Sequence, residues 1–293
     1  MATNITALTR KGRVASNGEI VEAVVALLKH LGIRHVSVGT HSGGTVYALD
    51  LLLHHPEILH PDRPYIGIGA PWICPDRSGC RLMAITQSLP RAMIEQTDKL
   101  ASLVSTFAVP ITSAGSGLAD IVCSFATAPP VDPEVAFEEV LRPRNMKFVY
   151  SGAVHGLSQD AVLLMRRGGS QSGWSDWGDY DELIPRLAEK LRAENQRLKV
   201  ELFLGQTDFM IGNPCSKGPE WFKTCWEEAT QQDNSSIEFS SKVVGGADHD
   251  TVWSLKWGAA QQVFGDIGSC TCSVDASGDM CLSRPKPLRP LSV

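Results

Sequence analysis

The sequence predicts an α/β protein with a mostly parallel sheet and an inserted helical cap. Three observations support this prediction. Short apolar runs alternate with helical patterns over residues 1–75 and again over 191–265. Helical patterns dominate the intervening residues 76–190. Finally, a small-residue turn around Ser42 joins an apolar run to a helical pattern, as in an α/β sheet.

The first elements follow from the spacing of apolar residues. Apolar side chains recur every three or four residues over 19–30, which predicts a helix that ends before Gly32. Residues 33–39 form an apolar run that predicts a strand, and a helix is expected over 45–54. A buried strand is predicted over 65–69.

The insertion is predicted from a change of pattern. Its expected helices cover 81–106, 133–142 and 158–167, and a short strand is expected at 148–150. Two tryptophans, Trp174 and Trp177, follow these helices. They either line a substrate cleft or pack the insertion onto the core.

Strand character returns after the insertion. The sequence predicts strands over 198–204 and 237–244, and helices over 219–230 and 251–263. Residues 266–293 are rich in proline, serine and glycine, and we expect this tail to be disordered.

Composition excludes several classes of function. The 293 residues carry a net charge of −5 and no basic cluster, so nucleic acid is not an expected partner. No apolar segment is long enough to span a bilayer, and the first residues lack a signal-peptide pattern, so we expect a cytoplasmic protein. None of the eight cysteines forms a C-x-x-C pair, so zinc-ribbon spacing is absent, and free thiols rather than metal ligands are expected. The sequence predicts no oligomeric state.

The turn at Ser42 has the pattern of a nucleophile elbow. Such a turn is tight, and we expect it to require small residues at Thr40 and Gly44, two positions either side of Ser42. The Gly43 N–H would lie at a helix N-terminus, where it could stabilise an oxyanion. His41 is expected to pack beneath the turn. An ordinary glycine-rich turn is the alternative interpretation.

Two further polar residues follow predicted strands. Asp208 comes directly after one strand, and His249 lies on a glycine-rich loop after another. Open α/β sheets build their sites at the carboxyl ends of the strands. A serine hydroxyl needs a base, and the base needs a group that orients it. We therefore predict a Ser42, Asp208 and His249 triad, with Asp176 and Asp179 as alternative acids.

Six segments carry a resemblance to a known family. Together they lie within residues 9–265, and they are 40–49, 54–59, 70–72, 177–180, 205–208 and 246–250. The chain resembles the α/β-hydrolase superfamily and, more narrowly, the AB hydrolase-1-like serine hydrolases common in fungi. The resemblance implies a nucleophile at Ser42, an acid at Asp208, a base at His249 and a helical cap over the cleft.

The sequence also departs from this family. A family member has about three further strands before the point that corresponds to residue 1. Residues 9–16 resemble the family's D-R-x-G-x-G-x-S turn, with Thr9 and Val14 in place of Asp and Gly. We therefore expect an incomplete α/β-hydrolase fold, an unpaired edge beside the strand of Ser42, and an oxyanion hole in which only Gly43 N–H is assigned.

The function expected from these residues is that of a cofactor-free serine hydrolase. Its substrate would be a small-molecule carboxylic ester or similar acyl compound, cleaved through an acyl-enzyme on Ser42. Trp72 and Trp177 are the candidate substrate-binding residues, and they favour a hydrophobic acyl or alcohol group. Related dehalogenases and epoxide hydrolases are less expected, because they use aspartate as nucleophile. The alternative is a non-catalytic binding protein on the same scaffold.

Overall fold

Four parallel strands form one sheet in the computed structural model. The structure describes residues 17–80, 85, 88, 90, 93, 132–151, 155–165, 179–232 and 236–268. The strands are β1 (Val38–Ser42), β2 (Tyr65–Pro71), β3 (Leu198–Gly205) and β4 (Ile237–Val244). Each strand pairs with the next one in the chain, in the order β1-β2-β3-β4. The predicted α/β class with a parallel sheet is confirmed.

Helices connect and cover these strands. The α-helices of the described residues are α1 (Asn17–His30), α2 (Gly44–His54), α3 (Pro75–Ser78), α4 (Pro133–Ser151), α5 (His155–Leu164), α6 (Tyr180–Ala193), α7 (Lys217–Gln232) and α8 (Ala259–Gly268). Within the described residues, two short 3-10 helices cover Pro56–Ile58 and Leu255–Trp257. Every residue of β2 is buried, as expected for a central parallel strand between two helical layers.

The first strand starts later than the sequence suggests. The apolar run over 33–39 predicts a strand, but regular pairing begins only at Val38, opposite Ile66 of β2. Val36 makes a single isolated bridge to Leu59. A strand needs a neighbour to pair with, and the residues before Val38 precede the start of that ladder.

The main hydrophobic core lies on one face of the sheet. Helices α2, α6 and α7 pack there against buried side chains of β2 and β3. The buried face of α6 comprises Tyr180, Leu183, Ile184, Leu187, Ala188 and Leu191. The predicted end of the insertion at residue 190 falls inside this helix, which is part of the core.

A second apolar cluster covers the opposite face. Val263 of α8 packs there with Tyr65, Phe203 and Val252. The predicted continuous helix over 251–263 is wrong. The chain instead forms a 3-10 turn, and Gly258 then adopts a left-handed φ of +79° before α8 begins.

The described part of the insertion contains α3, α4 and α5. The strand predicted at 148–150 is wrong, because these residues form the last turns of α4. Three apolar residues fit a helix as readily as a strand, and no strand of the described sheet pairs with them. Most of the helix predicted over 81–106 lies outside the described residues, as does the predicted tail beyond residue 268.

None of the helices in the described part of the chain is long and apolar enough to cross a bilayer. Within the same part, no group of three or more histidine, cysteine or acidic side chains could hold a metal ion. The described cysteines are free thiols, and they are Cys74, Cys80, Cys215 and Cys225.

Candidate active site

Ser42 ends β1, and α2 begins two residues later at Gly44. Ser42 has a left-handed φ of +51°, a conformation that costs a non-glycine residue on the order of 1–3 kcal/mol. The pairing of β1 with β2 shifts register at this point, where Ser42 lies opposite Pro71. The Trp72 N–H donates to the Ser42 carbonyl at 3.0 Å. The strained turn is therefore held in place by the neighbouring strand.

The closest approach to the elbow glycines falls at a different position from the one predicted. A Cβ atom at Gly44 would meet nothing within 4 Å, whereas one at Gly43 would lie 2.7 Å from Leu164 Cδ1. The expectation that Gly44 must be small is therefore wrong for this chain. Thr40 is buried, and its hydroxyl lies 3.1 Å from the Thr45 hydroxyl, so the elbow accommodates a threonine through a hydrogen bond.

Ser42, His249 and Asp208 form one continuous hydrogen-bonded chain. His249 Nε2 lies 2.9 Å from Ser42 Oγ, and His249 Nδ1 lies 2.8 Å from Asp208 Oδ2. The other carboxylate oxygen, Oδ1, accepts the N–H groups of Met210 at 2.9 Å and Ile211 at 3.0 Å. Asp208 is 5% exposed and His249 is 1% exposed. The three predicted side chains are thus brought together from distant parts of the sequence.

These contacts fix the direction of each hydrogen bond. A carboxylate only accepts, so His249 Nδ1–H donates to Asp208. The Nε2 atom of the neutral ring then carries a lone pair, and the Ser42 hydroxyl donates to it. This arrangement can remove a proton from the serine and hold the resulting imidazolium beside a carboxylate.

The loops that carry Asp208 and His249 are tied to each other. The Gly246 N–H donates to Gln206 Oε1 at 2.8 Å, and the Thr207 N–H donates to the Ala247 carbonyl at 3.1 Å. Both loops leave the carboxyl ends of neighbouring parallel strands, which brings them to the same edge of the sheet.

His41 contacts the histidine loop directly rather than only packing beneath the turn. Its Nε2 atom lies 2.7 Å from the His249 carbonyl oxygen, and the two ring centroids are 5.2 Å apart. Burial lowers the pKa of His41. The sequence offered no signal for this contact, because it joins a residue of β1 to a loop 208 positions further along the chain.

Of the two predicted substrate-binding tryptophans, the structure describes Trp72. Trp72 is 4% exposed and packs behind the elbow with Val46 and Leu163. Its indole therefore does not line an open cleft. Trp177 lies outside the described residues, and so does Trp174. Asp176 lies there too, while Asp179 directly precedes α6.

Two apolar side chains that sequence reasoning missed flank the site. Phe209 is 53% exposed, and its ring centroid lies 6.5 Å from that of His249. Leu164, at the end of α5, lies against Gly43. An aromatic residue directly after the predicted acid was the available signal for Phe209. A cavity of about 430 Å³ also reaches Asp208, and its lining includes Ser78 and Asn213.

The chain is similar to solved hydrolase structures. An α/β hydrolase from a Medee basin deep-sea metagenome is 14% identical, with a TM-score of 0.41, over 87% of this chain and 73% of that one. A structure of carboxylesterases from Nitrososphaera gargenis is 13% identical, with a TM-score of 0.42, over 87% and 72%. A single-residue mutant of the haloalkane dehalogenase DatA from Agrobacterium tumefaciens is 12% identical, with a TM-score of 0.44, over 86% and 74%. No protein-family model and no curated protein matches the chain.

Proposed function

We propose that this chain is a serine hydrolase that cleaves a carboxylic ester, or a similar acyl substrate, through an acyl-enzyme on Ser42. The observation that supports this most strongly is the hydrogen-bonded chain from Ser42 Oγ through His249 to the buried Asp208 carboxylate. An aspartate would be needed at position 42 for a dehalogenase-like nucleophile, and this chain has serine there.

The proposed first half-reaction transfers the acyl group to the enzyme. Ser42 Oγ attacks the carbonyl carbon while its proton moves to His249 Nε2, and the carbonyl electron pair becomes an oxyanion. When the tetrahedral intermediate collapses, the ester C–O bond breaks and the leaving alcohol takes the proton from Nε2. Asp208 stabilises the imidazolium between these two steps.

The second half-reaction releases the acid. Water attacks the acyl-enzyme and gives its proton to His249 Nε2, and that proton returns to Ser42 Oγ when the acyl bond breaks. No cofactor is required, because serine, histidine and water supply every group that is transferred.

The Gly43 N–H is the proposed donor to the oxyanion. Gly43 is the N-cap of α2, so its N–H lies among backbone donors that have no partner within the helix. Loss of one donor from an oxyanion hole costs on the order of 10²–10³ in rate. The Gly43 N–H is therefore expected to contribute a factor of this size to the rate of acylation.

The substrate is proposed to carry a hydrophobic acyl or alcohol group. Leu164 places apolar surface beside Gly43, and Phe209 places apolar surface beside the His249 ring. Leu164 belongs to the region predicted as a cap over residues 76–190, and its contact with Gly43 supports a covering role for α5.

Hydrolysis of p-nitrophenyl esters of increasing acyl length tests this proposal. We expect the wild-type chain to release a burst of about one p-nitrophenolate per active site before the steady state, because acylation precedes the slower attack by water. Ser42→Ala should show neither burst nor turnover. A folded wild-type chain with no Ser42-dependent release would contradict the proposal and favour a non-catalytic binding protein.

A further inference from the structure

We propose that His41 is a positioning residue, which holds the backbone of His249 so that Nε2 stays within hydrogen-bonding distance of Ser42 Oγ. This inference rests on the proposed function, because it assigns a role in the same reaction. His41 itself touches neither the serine hydroxyl nor the acid in the contacts described above.

The contact between His41 and His249 has a defined donor. A carbonyl oxygen can only accept, so the 2.7 Å contact requires a hydrogen on His41 Nε2. The acceptor is the main-chain carbonyl of the proposed base, so the bond restrains the loop at the residue whose position matters most. Asp208 orients the imidazole ring, whereas His41 fixes the backbone from which that ring extends.

The surroundings of His41 keep it a neutral donor at neutral pH. Burial lowers its pKa most strongly. A proton on His249 would lower it further, whereas the hydrogen bond to the His249 backbone and the charges of Asp250 and Asp208 raise it. A neutral ring suits this position, because His249 must take up a proton during the proposed reaction. A second fixed positive charge beside it would oppose that step.

A parallel contact shows that the same loop is attached to β1 at two adjacent residues. Trp253 Nε1–H donates to the Thr40 carbonyl at 3.0 Å. Its indole packs against Phe203 and occupies the space where a Cβ at Gly69 would lie. The loop is therefore joined to Thr40 and His41, the two residues that immediately precede Ser42. Strand and loop are held together at the point where the proton must pass.

Small displacements matter at this distance. A misplacement of about 1 Å in a reacting group can lower a rate on the order of 10²-fold. Loss of the His41 hydrogen bond should therefore slow acylation and deacylation alike, because His249 moves a proton in both half-reactions, while substrate binding changes little. A purely structural histidine would alter stability without this division between kcat and KM.

The test compares two substitutions in the full chain. In His41→Gln, the amide nitrogen can reach the position of Nε2 and donate to the same carbonyl. His41→Leu has a similar volume and no donor. With a p-nitrophenyl ester, we expect kcat to fall about 10- to 100-fold in His41→Leu with KM nearly unchanged, and to stay within about threefold of wild type in His41→Gln. Trp253→Phe, which keeps an aromatic ring and removes the other hydrogen bond, is the comparison variant.

A second measurement does not depend on turnover. The proton of His249 Nδ1, held by Asp208, should give a downfield proton NMR signal. We expect His41→Gln to retain the wild-type signal and His41→Leu to shift or broaden it. If His41→Leu does not fold, His41→Asn replaces it, because its shorter amide cannot reach the carbonyl.

The outcomes separate the two proposals. Wild-type protein without Ser42-dependent turnover would refute the proposed hydrolase activity. The NMR comparison would still test the positioning role of His41. If His41→Leu has the kcat of wild type and an unchanged NMR signal for the His249 Nδ1 proton, the positioning role is overturned. Equal losses in folded His41→Leu and His41→Gln would also overturn it, because the donor would then not be what matters.

Discussion

Asp208 holds His249 with one carboxylate oxygen while the backbone occupies the other. Oδ2 lies 2.8 Å from His249 Nδ1, and Oδ1 accepts the N–H groups of Met210 and Ile211. The carboxylate therefore cannot rotate without breaking two hydrogen bonds in a buried site. Its orientation is set before any substrate binds.

This arrangement predicts a large effect for Asp208→Asn. The amide oxygen would keep the two backbone N–H groups, so the amide NH₂ would face His249 Nδ1. The ring would then carry its hydrogen on Nε2 and could not accept the serine proton. We expect the acylation rate to fall on the order of 10⁴-fold, measured as the burst rate with a p-nitrophenyl ester.

Asp250→Asn is the matched control for that substitution. Asp250 is exposed and follows His249 directly, so the change removes a nearby charge without touching the His249 ring. It should leave the burst rate within a few-fold of wild type. Equal losses in both variants would show that net charge, rather than the Nδ1 hydrogen bond, controls the site.

Gly205 provides a steric test of how the acid and base loops fit together. A Cβ at Gly205 would lie 2.7 Å from the carbonyl oxygen of Asp248, a backbone atom directly before His249. Gly205→Ala should therefore displace the histidine loop and destabilise the fold by about 1–3 kcal/mol, measured by urea unfolding, and should also slow acylation.

The control for this change is Gly245→Ala. The nearest atom to its added Cβ would be Gln206 Oε1, at 4.0 Å. This variant should retain the stability and burst rate of the wild type. A Gly205→Ala variant that is equally unaffected would refute the close contact between the loops.

Glu138 joins α4 to the chain that follows the histidine loop. One carboxylate oxygen lies 2.9 Å from both Ser254 Oγ and the Leu255 nitrogen, at the start of the 3-10 helix. Replacing it with alanine removes the acceptor for two donors. We expect Glu138→Ala to lose about 1–3 kcal/mol of unfolding free energy. Glu139→Ala, an exposed neighbour on the same helix, should change it little, and similar losses in both variants would contradict this role.

The lowered pKa of His41 predicts a pH dependence of stability. Burial is its main cause, and the folded chain therefore binds this proton less readily than the unfolded chain does. Stability should fall as pH drops below the ordinary histidine value, because the unfolded state takes up the proton first. Urea unfolding between about pH 7.5 and about pH 5.5 should show wild type losing stability relative to His41→Gln.

His55 supplies a control of opposite sign. Burial lowers its pKa, but hydrogen bonds to Glu57 and Glu22 outweigh that effect, and the net pKa is raised. The contribution of His55 to stability should be present at low pH and lost as the pH rises through its pKa in the folded chain. His55→Gln should therefore become closer to wild type in stability with rising pH. A difference in unfolding free energy between His41→Gln and wild type that does not change with pH would refute the lowered pKa of His41.

The parts of the site that sequence could predict are local ones. The elbow at Ser42 was visible because its strand, turn and helix are contiguous. Asp208 and His249 could be proposed because each follows a strand, and parallel strands end at the same edge of a sheet. The positions of β2 and β3 could also be predicted, because apolar runs mark buried parallel strands.

The parts that sequence missed depend on tertiary packing. Gly44 looked sterically required, but the close approach is at Gly43, where Leu164 arrives from the insertion. The contact from His41 to the His249 carbonyl spans 208 positions and has no sequence pattern. The helical conformation of residues 148–150 could not be separated from a strand, because a three-residue apolar run has no diagnostic period.

Labelling with a fluorophosphonate probe, followed by peptide mapping, tests the central claim most directly. The probe requires only an activated serine and not the natural substrate. We predict one covalent adduct on the peptide that contains Ser42, at a rate reduced by Asp208→Asn and abolished by Ser42→Ala. A folded wild-type chain that takes up no probe, or takes it up at another residue, would contradict the proposal that Ser42 is an activated nucleophile.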